Sequence, residues 1–152
     1  MSRSGYSDEY GCDNQWDLIM WRGAVASSIR GKRGQAFLRE LIESLDAMPE
    51  KRLIAHELRQ GGEVCAIGSV GARRGIDLES LDPEYPEQIA QAFGIATPLV
   101  REIEFMNDEG VWVKTPEERW TQMRAWAVQN LKKPDNGALA PLAEPTATGS
   151  EQ

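Results

Sequence analysis

Few side chains in this sequence are suited to catalysis. His56 is the only histidine among the 152 residues, so a Ser/His/Asp or Cys/His arrangement would have to include it. It lies in the segment IAHEL, beside Glu57, without a flanking catalytic motif. Cys12 and Cys65 form no CxxC pair, and with His56 they fall short of the four ligands that a structural zinc site needs. The sequence therefore predicts no catalytic residue, no metal and no cofactor.

The sharpest local motif is GKRG at Gly31–Gly34, between two predicted helices. It is not a P-loop, because Ala26 stands where a glycine is needed and Arg33 where Ser or Thr is needed. A GxxG loop between helices binds the nucleic-acid backbone in KH domains, since glycine lets phosphates approach and basic residues neutralise them. This reading gives a nucleic-acid-binding alternative with four contact residues: Arg30, Lys32, Arg33 and Arg39. The structural alternative is a helix C-cap followed by a polar turn, and residues 1–14 do not resemble the strand that precedes the first KH helix.

The acidic residues are concentrated in the middle of the chain. The net charge is −7, and residues 76–109 carry nine acids against one basic residue, Arg101. Such a segment repels nucleic acid and favours a basic protein surface, although it could also be only a solvated face that keeps the protein soluble. We expect the partner contacts to come from these acids: Asp82, Glu84, Glu87, Glu102, Asp108 and Glu109. Trp112, in a short connector, and Trp126, off the apolar stripe of its helix, are expected to be exposed contacts, since tryptophan is enriched at binding hot spots.

Apolar spacing predicts the helices that position these residues. Leu18, Trp21, Val25 and Ile29 share one face of a helix over about 16–30. A wider stripe marks a second helix over about 35–48, which Pro49 ends, so the two form an αα-hairpin.

The remaining elements are marked by caps and breaks. Residues 52–74 could form a hairpin around Gly61-Gly62, but their content of Ala, Leu, Glu and Arg favours two helices broken at that pair. Downstream, a short helix ends at Phe93-Gly94, and Thr97-Pro98 begins another. Thr115-Pro116-Glu117-Glu118 is a capping box that begins the last helix.

These elements predict a mainly α fold: a compact single-domain helical bundle with an N-terminal αα-hairpin, and as an alternative a short β-hairpin around residues 53–69. Residues 1–14 are expected to be a flexible arm, 15–132 the helical domain, and 133–152, rich in Pro, Ala, Thr and Gly, a disordered tail. No apolar run approaches the roughly 18 residues that span a bilayer, and the N-terminus does not read as a signal peptide. With two lone cysteines, this predicts a cytoplasmic protein without a membrane partner.

Several segments resemble a known group of proteins: WRGAVASSIRGKRGQAFLREL, VCAIGSVGARRG, AFGIA, EFMNDEG and TPEERWTQMRAW. Over about Ser4–Leu131 the chain resembles small uncharacterised proteins of tailed bacteriophages and proteobacterial prophages. The resemblance implies an accessory, non-virion product in the cytoplasm of a bacterial host, where such proteins often modulate host machinery, including defence systems. It carries no site residues.

The expected function is therefore a non-enzymatic accessory protein that binds a host protein, of defence or of nucleic-acid processing, through an acidic surface. Nucleic-acid binding through Gly31–Gly34 is the first alternative. A small enzyme with an acid-lined site is the second.

Overall fold

The computed structural model describes Arg3, residues 15–109 and residues 115–132. The elements in order are α1 (Gln15–Arg30), α2 (Lys32–Ala47), β1 (Arg59–Gln60), β2 (Glu63–Val64), α3 (Ala66–Arg74), a 3-10 turn (Leu78–Ser80), α4 (Pro86–Phe93), α5 (Thr97–Glu109) and α6 (Pro116–Gln129). Helices dominate, and β1 and β2 form a small antiparallel pair, which confirms the predicted mainly α class. In these ranges no helix is both long and apolar enough to cross a bilayer.

Helices α1 and α2 form the predicted hairpin, but their junction is tighter than expected. Helix α2 begins at Lys32, so GKRG is not a loop: Gly31 alone separates the helices, and the other three residues form the first turn of α2. A Cβ atom on Gly34 would lie 1.9 Å from the carbonyl oxygen of Ser28. Only glycine therefore allows the two helix backbones to approach this closely.

The Gly61-Gly62 pair forms a β-hairpin turn. Both residues have positive φ, at 60° and 85°, a combination that suits a two-residue hairpin turn and that a helix does not contain. Arg59 pairs with Val64 across the turn, and helix α3 starts only at Ala66. The expectation of a helix before the glycine pair is therefore wrong, and the hairpin alternative is confirmed.

The core is built around α2, which packs against α3 and α6, while α5 packs against α1, α3 and α4. Phe37 of α2 meets Phe93 of α4 edge to face, with 6.1 Å between ring centroids. The other large apolar side chains that are fully buried come from α2 to α6 and from the segment before β1: Leu38, Leu41, Leu45, Leu53, Leu58, Ile67, Ile89, Leu99, Ile103 and Met123. This core fixes the orientation of α5, which carries much of the acidic segment.

The last helix begins at the predicted capping box. The backbone N–H of Glu118 donates to Oγ1 of Thr115 at 3.1 Å, and the N–H of Thr115 donates to Oε1 of Glu118 at 3.0 Å. Thr115→Ala removes one of these bonds, so we expect the free energy of unfolding in urea to fall by about 0.5–2 kcal/mol. Thr121→Ala, on the exposed face of the same helix, is the matched control. Equal losses for the two variants would contradict the cap assignment.

Candidate functional site

The loop between α3 and α4 presents a dense group of exposed carboxylates. Residues 75–88 contain no Lys or Arg, and all five of their acids are exposed: Asp77, Glu79, Asp82, Glu84 and Glu87. We call these five side chains the acidic surface. Tyr85 lies within the same loop and is 55% exposed. The acidic surface therefore combines negative charge with an aromatic side chain that can be buried by a partner.

Local hydrogen bonds hold this loop in shape. Asp77 Oδ1 accepts the N–H of Glu79 at 3.1 Å and so caps the 3-10 turn. Asp82 Oδ1 accepts the N–H of Glu84 at 2.9 Å. In both cases the aspartate side chain accepts the backbone N–H two residues later, which is a turn that aspartate favours. Two of the acids thus shape the backbone that displays the others.

A groove runs from the acidic surface to strand β1. It encloses about 450 Å³ and is lined by residues 57–59 on one wall and by residues 78–83 on the other. Its acidic lining residues are Glu57, Glu79 and Asp82, and Arg59 is the one basic residue in the lining. The groove extends the negative surface across two elements that are about twenty residues apart in sequence.

The structure separates the predicted partner-binding residues into two groups. Asp82, Glu84 and Glu87 lie on the acidic surface. Glu102 and Glu109 are half-buried on α5, where Glu102 lines a different groove, of about 660 Å³, with Trp21 and Phe105.

Two predictions of exposure are wrong, and a third lies outside the described residues. The side chain of Asp108 is only 2% exposed, because it faces the interior of the fold. Trp126 is 8% exposed, because α6 packs against both α2 and α5 and buries more than its single apolar stripe. Trp112 falls in the range 110–114, which the structure does not describe.

Asp108 belongs to a buried polar cluster with Arg3. The Arg3 guanidinium donates from Nε to Asp108 Oδ2 at 2.5 Å and from Nη2 to Oδ1 at 2.9 Å. The backbone N–H of His56 and Nδ2 of Asn107 donate to the same carboxylate at 3.0 and 2.8 Å. Burial alone would raise the pKa of Asp108, but the bonds from Arg3, Asn107 and His56 outweigh burial and lower that pKa.

Glu104 is the second carboxylate of this cluster, one helical turn before Asp108. Its side chain is fully buried and lies 3.9 Å from Nη1 of Arg3. Within the described ranges neither of its carboxylate oxygens has a hydrogen-bond partner. Burial is the main reason that the pKa of Glu104 rises to about 8, and the negative charges of Asp108 and Glu84 act in the same direction. At neutral pH Glu104 therefore keeps its proton, and Asp108 alone balances the charge of Arg3.

Sequence reasoning missed Arg3 and Glu104 as members of a cluster. A signal for Glu104 was present, because it follows Val100 and Ile103 at the spacing of the buried face of α5. Arg3 gave no such signal, since its partner is 105 residues away. The other residues of the predicted arm 1–14 lie outside the described part, so the flexibility of that arm stays a prediction.

The four basic residues of the alternative hypothesis are all exposed. In the described ranges, Arg30, Lys32, Arg33 and Arg39 make no ion pair or side-chain hydrogen bond. Lys32 and Arg33 line a small pocket of about 270 Å³ with Ser27, Ser28 and Ala96. However, they lie in a helical turn and the glycines serve helix packing, so the GxxG loop geometry of a KH domain is absent from this junction.

The described residues do not assemble a nucleophile with a base. His56 is exposed and holds a φ of 71°, with Nδ1 3.7 Å from Asp108 Oδ2. The Cys65 thiol is buried and accepts the N–H of Gly68 at the start of α3. No three His, Cys, Asp or Glu side chains in the described ranges converge as metal ligands.

Comparisons with protein families, with curated proteins and with solved structures found no match for this chain.

Proposed function

We propose that this protein is a non-enzymatic binding protein whose acidic surface docks on a basic surface of a partner protein. The observation that carries the proposal is the exposure of all five acids of residues 75–88, a stretch without Lys or Arg, although Glu87 lies 3.6 Å from Arg101 of α5. A concentrated patch of one sign steers a partner of the opposite sign and speeds association. The resemblance to small phage and prophage proteins supports a protein of the bacterial host as the partner.

The shape of the surface also supports a protein partner. Charge supplies steering and specificity more than affinity, so a docking surface also needs groups that are buried on binding. Tyr85 supplies an exposed aromatic ring beside Glu84, and the groove between residues 57–59 and 78–83 supplies a concave acidic wall. Together they suit a protruding lysine- or arginine-bearing segment.

Charge reversal tests the proposal. Glu79→Lys with Glu84→Lys changes two exposed side chains that make no ion pair within the described ranges. With partners captured from host cells by the tagged protein and then purified, we expect association to slow at least tenfold at physiological salt. The association rates of the variant and of wild type should converge at high salt, because salt screens exposed charges beyond about 8–10 Å at physiological strength and over shorter distances at higher salt.

The control is Glu43→Lys with Glu117→Lys, which makes the same change in net charge at exposed positions on α2 and α6. Glu43 loses one exposed ion pair, 3.9 Å from Arg73, and such surface pairs contribute little to stability. This control should associate nearly as fast as wild type. Equal slowing by both double variants would mean that net charge alone matters, and the acidic surface would lose its role.

A second candidate function rests on four exposed basic residues of α1 and α2 that make no ion pair within the described ranges: Arg30, Lys32, Arg33 and Arg39. Exposed Lys and Arg side chains without carboxylate partners are free to contact phosphates. In a gel-shift titration with single-stranded DNA and RNA at physiological salt, low-micromolar binding that Lys32→Ala with Arg33→Ala abolishes would establish this candidate instead. Reversal of the acids would then strengthen binding rather than weaken it.

A further inference from the structure

A groove of about 660 Å³ lies between α1 and the end of α6, and it shares no lining residue with the acidic surface. Both helices pack against α5, whose residues Glu102 and Phe105 line the groove between them. Small-molecule sites enclose roughly 300–1,000 Å³ and are common between the helices of bundles. The fold therefore offers a groove of ligand size that the proposed function leaves unused.

Apolar side chains form half of the lining of this groove. Val25 is buried and the other five are half-buried, so each of those five leaves apolar surface open to a ligand. The Arg101 guanidinium lies over the Trp21 ring, 5.6 Å from its centroid, and holds the ring against α5. The six apolar lining residues are Trp21, Val25, Ala26, Ile29, Phe105 and Leu131.

The charged lining of the groove is mainly basic. Arg22, Arg30 and Lys132 line it with a single acid, Glu102, although the whole chain has a net charge of −7. All three basic side chains are exposed, and within the described ranges none of them makes an ion pair. Arg30 lies in the last turn of α1, where the helix dipole favours a cation, but Arg22 lies about two turns earlier. The groove therefore favours an anionic ligand.

A buried glutamine joins the two walls at one end of the groove. Nε2 of Gln35 donates to the carbonyl oxygens of Ile29, at 2.8 Å, and of Asn130, at 3.1 Å. Its Oε1 accepts the N–H of Lys132 at 2.8 Å. Arg30 and Lys132 are thus next to this junction, and the groove extends from it for about 14 Å along α1. A molecule with one charged head group suits walls joined at one end, whereas a partner helix laid along the groove needs both ends open.

We propose that this groove binds a small apolar carboxylate. The hydrocarbon part lies along Trp21, Ile29 and Phe105, and the carboxylate meets Arg30 and Lys132 at the joined end. Arginine and lysine supply the charge-assisted hydrogen bonds that a carboxylate accepts, and the apolar lining is buried by the rest of the ligand. The proposal does not depend on the acidic surface, because the two share no residue.

Isothermal titration calorimetry of the full-length protein with decanoate tests the site. We expect binding at one site per chain, roughly tenfold tighter than that of octanoate, because octanoate buries two fewer methylene groups. Decylammonium has the same chain and the opposite charge, and it should bind at least tenfold more weakly than decanoate. Equal binding of decanoate and decylammonium, or no binding of decanoate, would overturn the proposal.

Two variants locate the head group and the hydrocarbon part. Arg30→Gln with Lys132→Gln should weaken decanoate binding about tenfold or more. The control is Lys32→Gln with Arg39→Gln, which makes the same change in net charge at exposed positions on α2 outside the lining, and it should bind as wild type does. Equal losses for both pairs would mean that net charge alone matters, and the site would be refuted. Ala26→Phe fills part of the groove and should also weaken binding; if it fails to fold, the charge pairs still decide.

Other occupants of the groove give different results. If decanoate binds only after residues 133–152 are removed, the chain's own C-terminal residues cover the groove and the proposal falls. If an acidic amphipathic helical peptide binds in a manner that Ala26→Phe abolishes, while decanoate does not bind, the groove docks a protein and the proposal falls as well. Neither result affects the acidic surface, because Glu79→Lys with Glu84→Lys changes no residue of the groove.

Discussion

Replacing Gly34 by alanine should lower the free energy of unfolding by more than about 3 kcal/mol, at or beyond the upper end of the range for overpacked cores. The new Cβ would lie 1.9 Å from the Ser28 carbonyl oxygen and 2.9 Å from that of Ile29. These are main-chain atoms of α1, so the helix has to move as a whole. The gain of up to about 1 kcal/mol from a better helix former offsets only part of this cost.

Gly23 and Gly31 provide the controls. A Cβ on Gly23 would meet nothing within 4 Å, so Gly23→Ala should be neutral or stabilising by up to about 1 kcal/mol. At Gly31 the nearest atom would be 3.5 Å away, so Gly31→Ala should be tolerated. Urea denaturation of the three variants measures the differences. If Gly34→Ala is tolerated, helix packing does not require this glycine. That result would favour the alternative in which Gly31–Gly34 binds nucleic acid.

Variants at the two basic residues of GKRG test whether the motif acts as one unit. If Gly34 is present for packing, Lys32→Ala and Arg33→Ala should leave stability almost unchanged, since both side chains are exposed. The glycines and the basic residues of GKRG would then have separate roles. The motif could not be read as one nucleic-acid-binding unit.

The helices were predictable where the signal is local. The stripe of α2 and the Thr115 cap depend on residues within a turn or two, and the structure reproduces both. The first half of segment 52–74 is not helical because two consecutive glycines outweigh the helix propensity of the residues around them. Both glycines have positive φ, which a two-residue hairpin turn requires and a helix excludes, whatever residues flank them.

For the candidate site, the sequence predicts only where the acidic residues lie along the chain, not the surface that they form. Counting charges over residues 76–109 located the acids but did not say which face of α5 each one occupies. Asp108 and Glu104 lie on the inward side of α5, where they meet Arg3, and that pairing is a tertiary contact between residues that are about 100 positions apart in sequence. The acids of residues 75–88 are exposed because the segment turns Ile76, Leu78 and Leu81 toward the core and leaves its carboxylates on the outside.

The wild-type protein should lose stability relative to Glu104→Gln as the pH rises from about 5 to 8. In the unfolded chain Glu104 titrates near its ordinary value of 4.5, but burial raises the pKa in the folded protein to about 8. Between these values the folded state binds more protons than the unfolded state, so the free energy of unfolding falls with increasing pH. Well above pH 8 Glu104 is ionised in both states and the difference stays constant. Each pKa unit corresponds to about 1.4 kcal/mol, so the full effect between the two pKa values is on the order of 5 kcal/mol.

The comparison isolates Glu104 because the glutamine side chain has nearly the same shape and does not titrate. The other charges that face Glu104 are those of Arg3, Asp108, Arg101 and Glu84, and all four are unchanged in the variant. The contribution of Asp108 to the pH dependence of stability has the opposite sign. Its lowered pKa stabilises the fold at neutral pH, and that stabilisation is lost only in acid. Urea denaturation at pH 5, 6, 7 and 8 measures the difference, with exposed Glu79→Gln as the control. Parallel pH profiles for wild type and Glu104→Gln would show that Glu104 is ionised in the folded protein. Arg3 would then face two negative charges at neutral pH, those of Asp108 and Glu104.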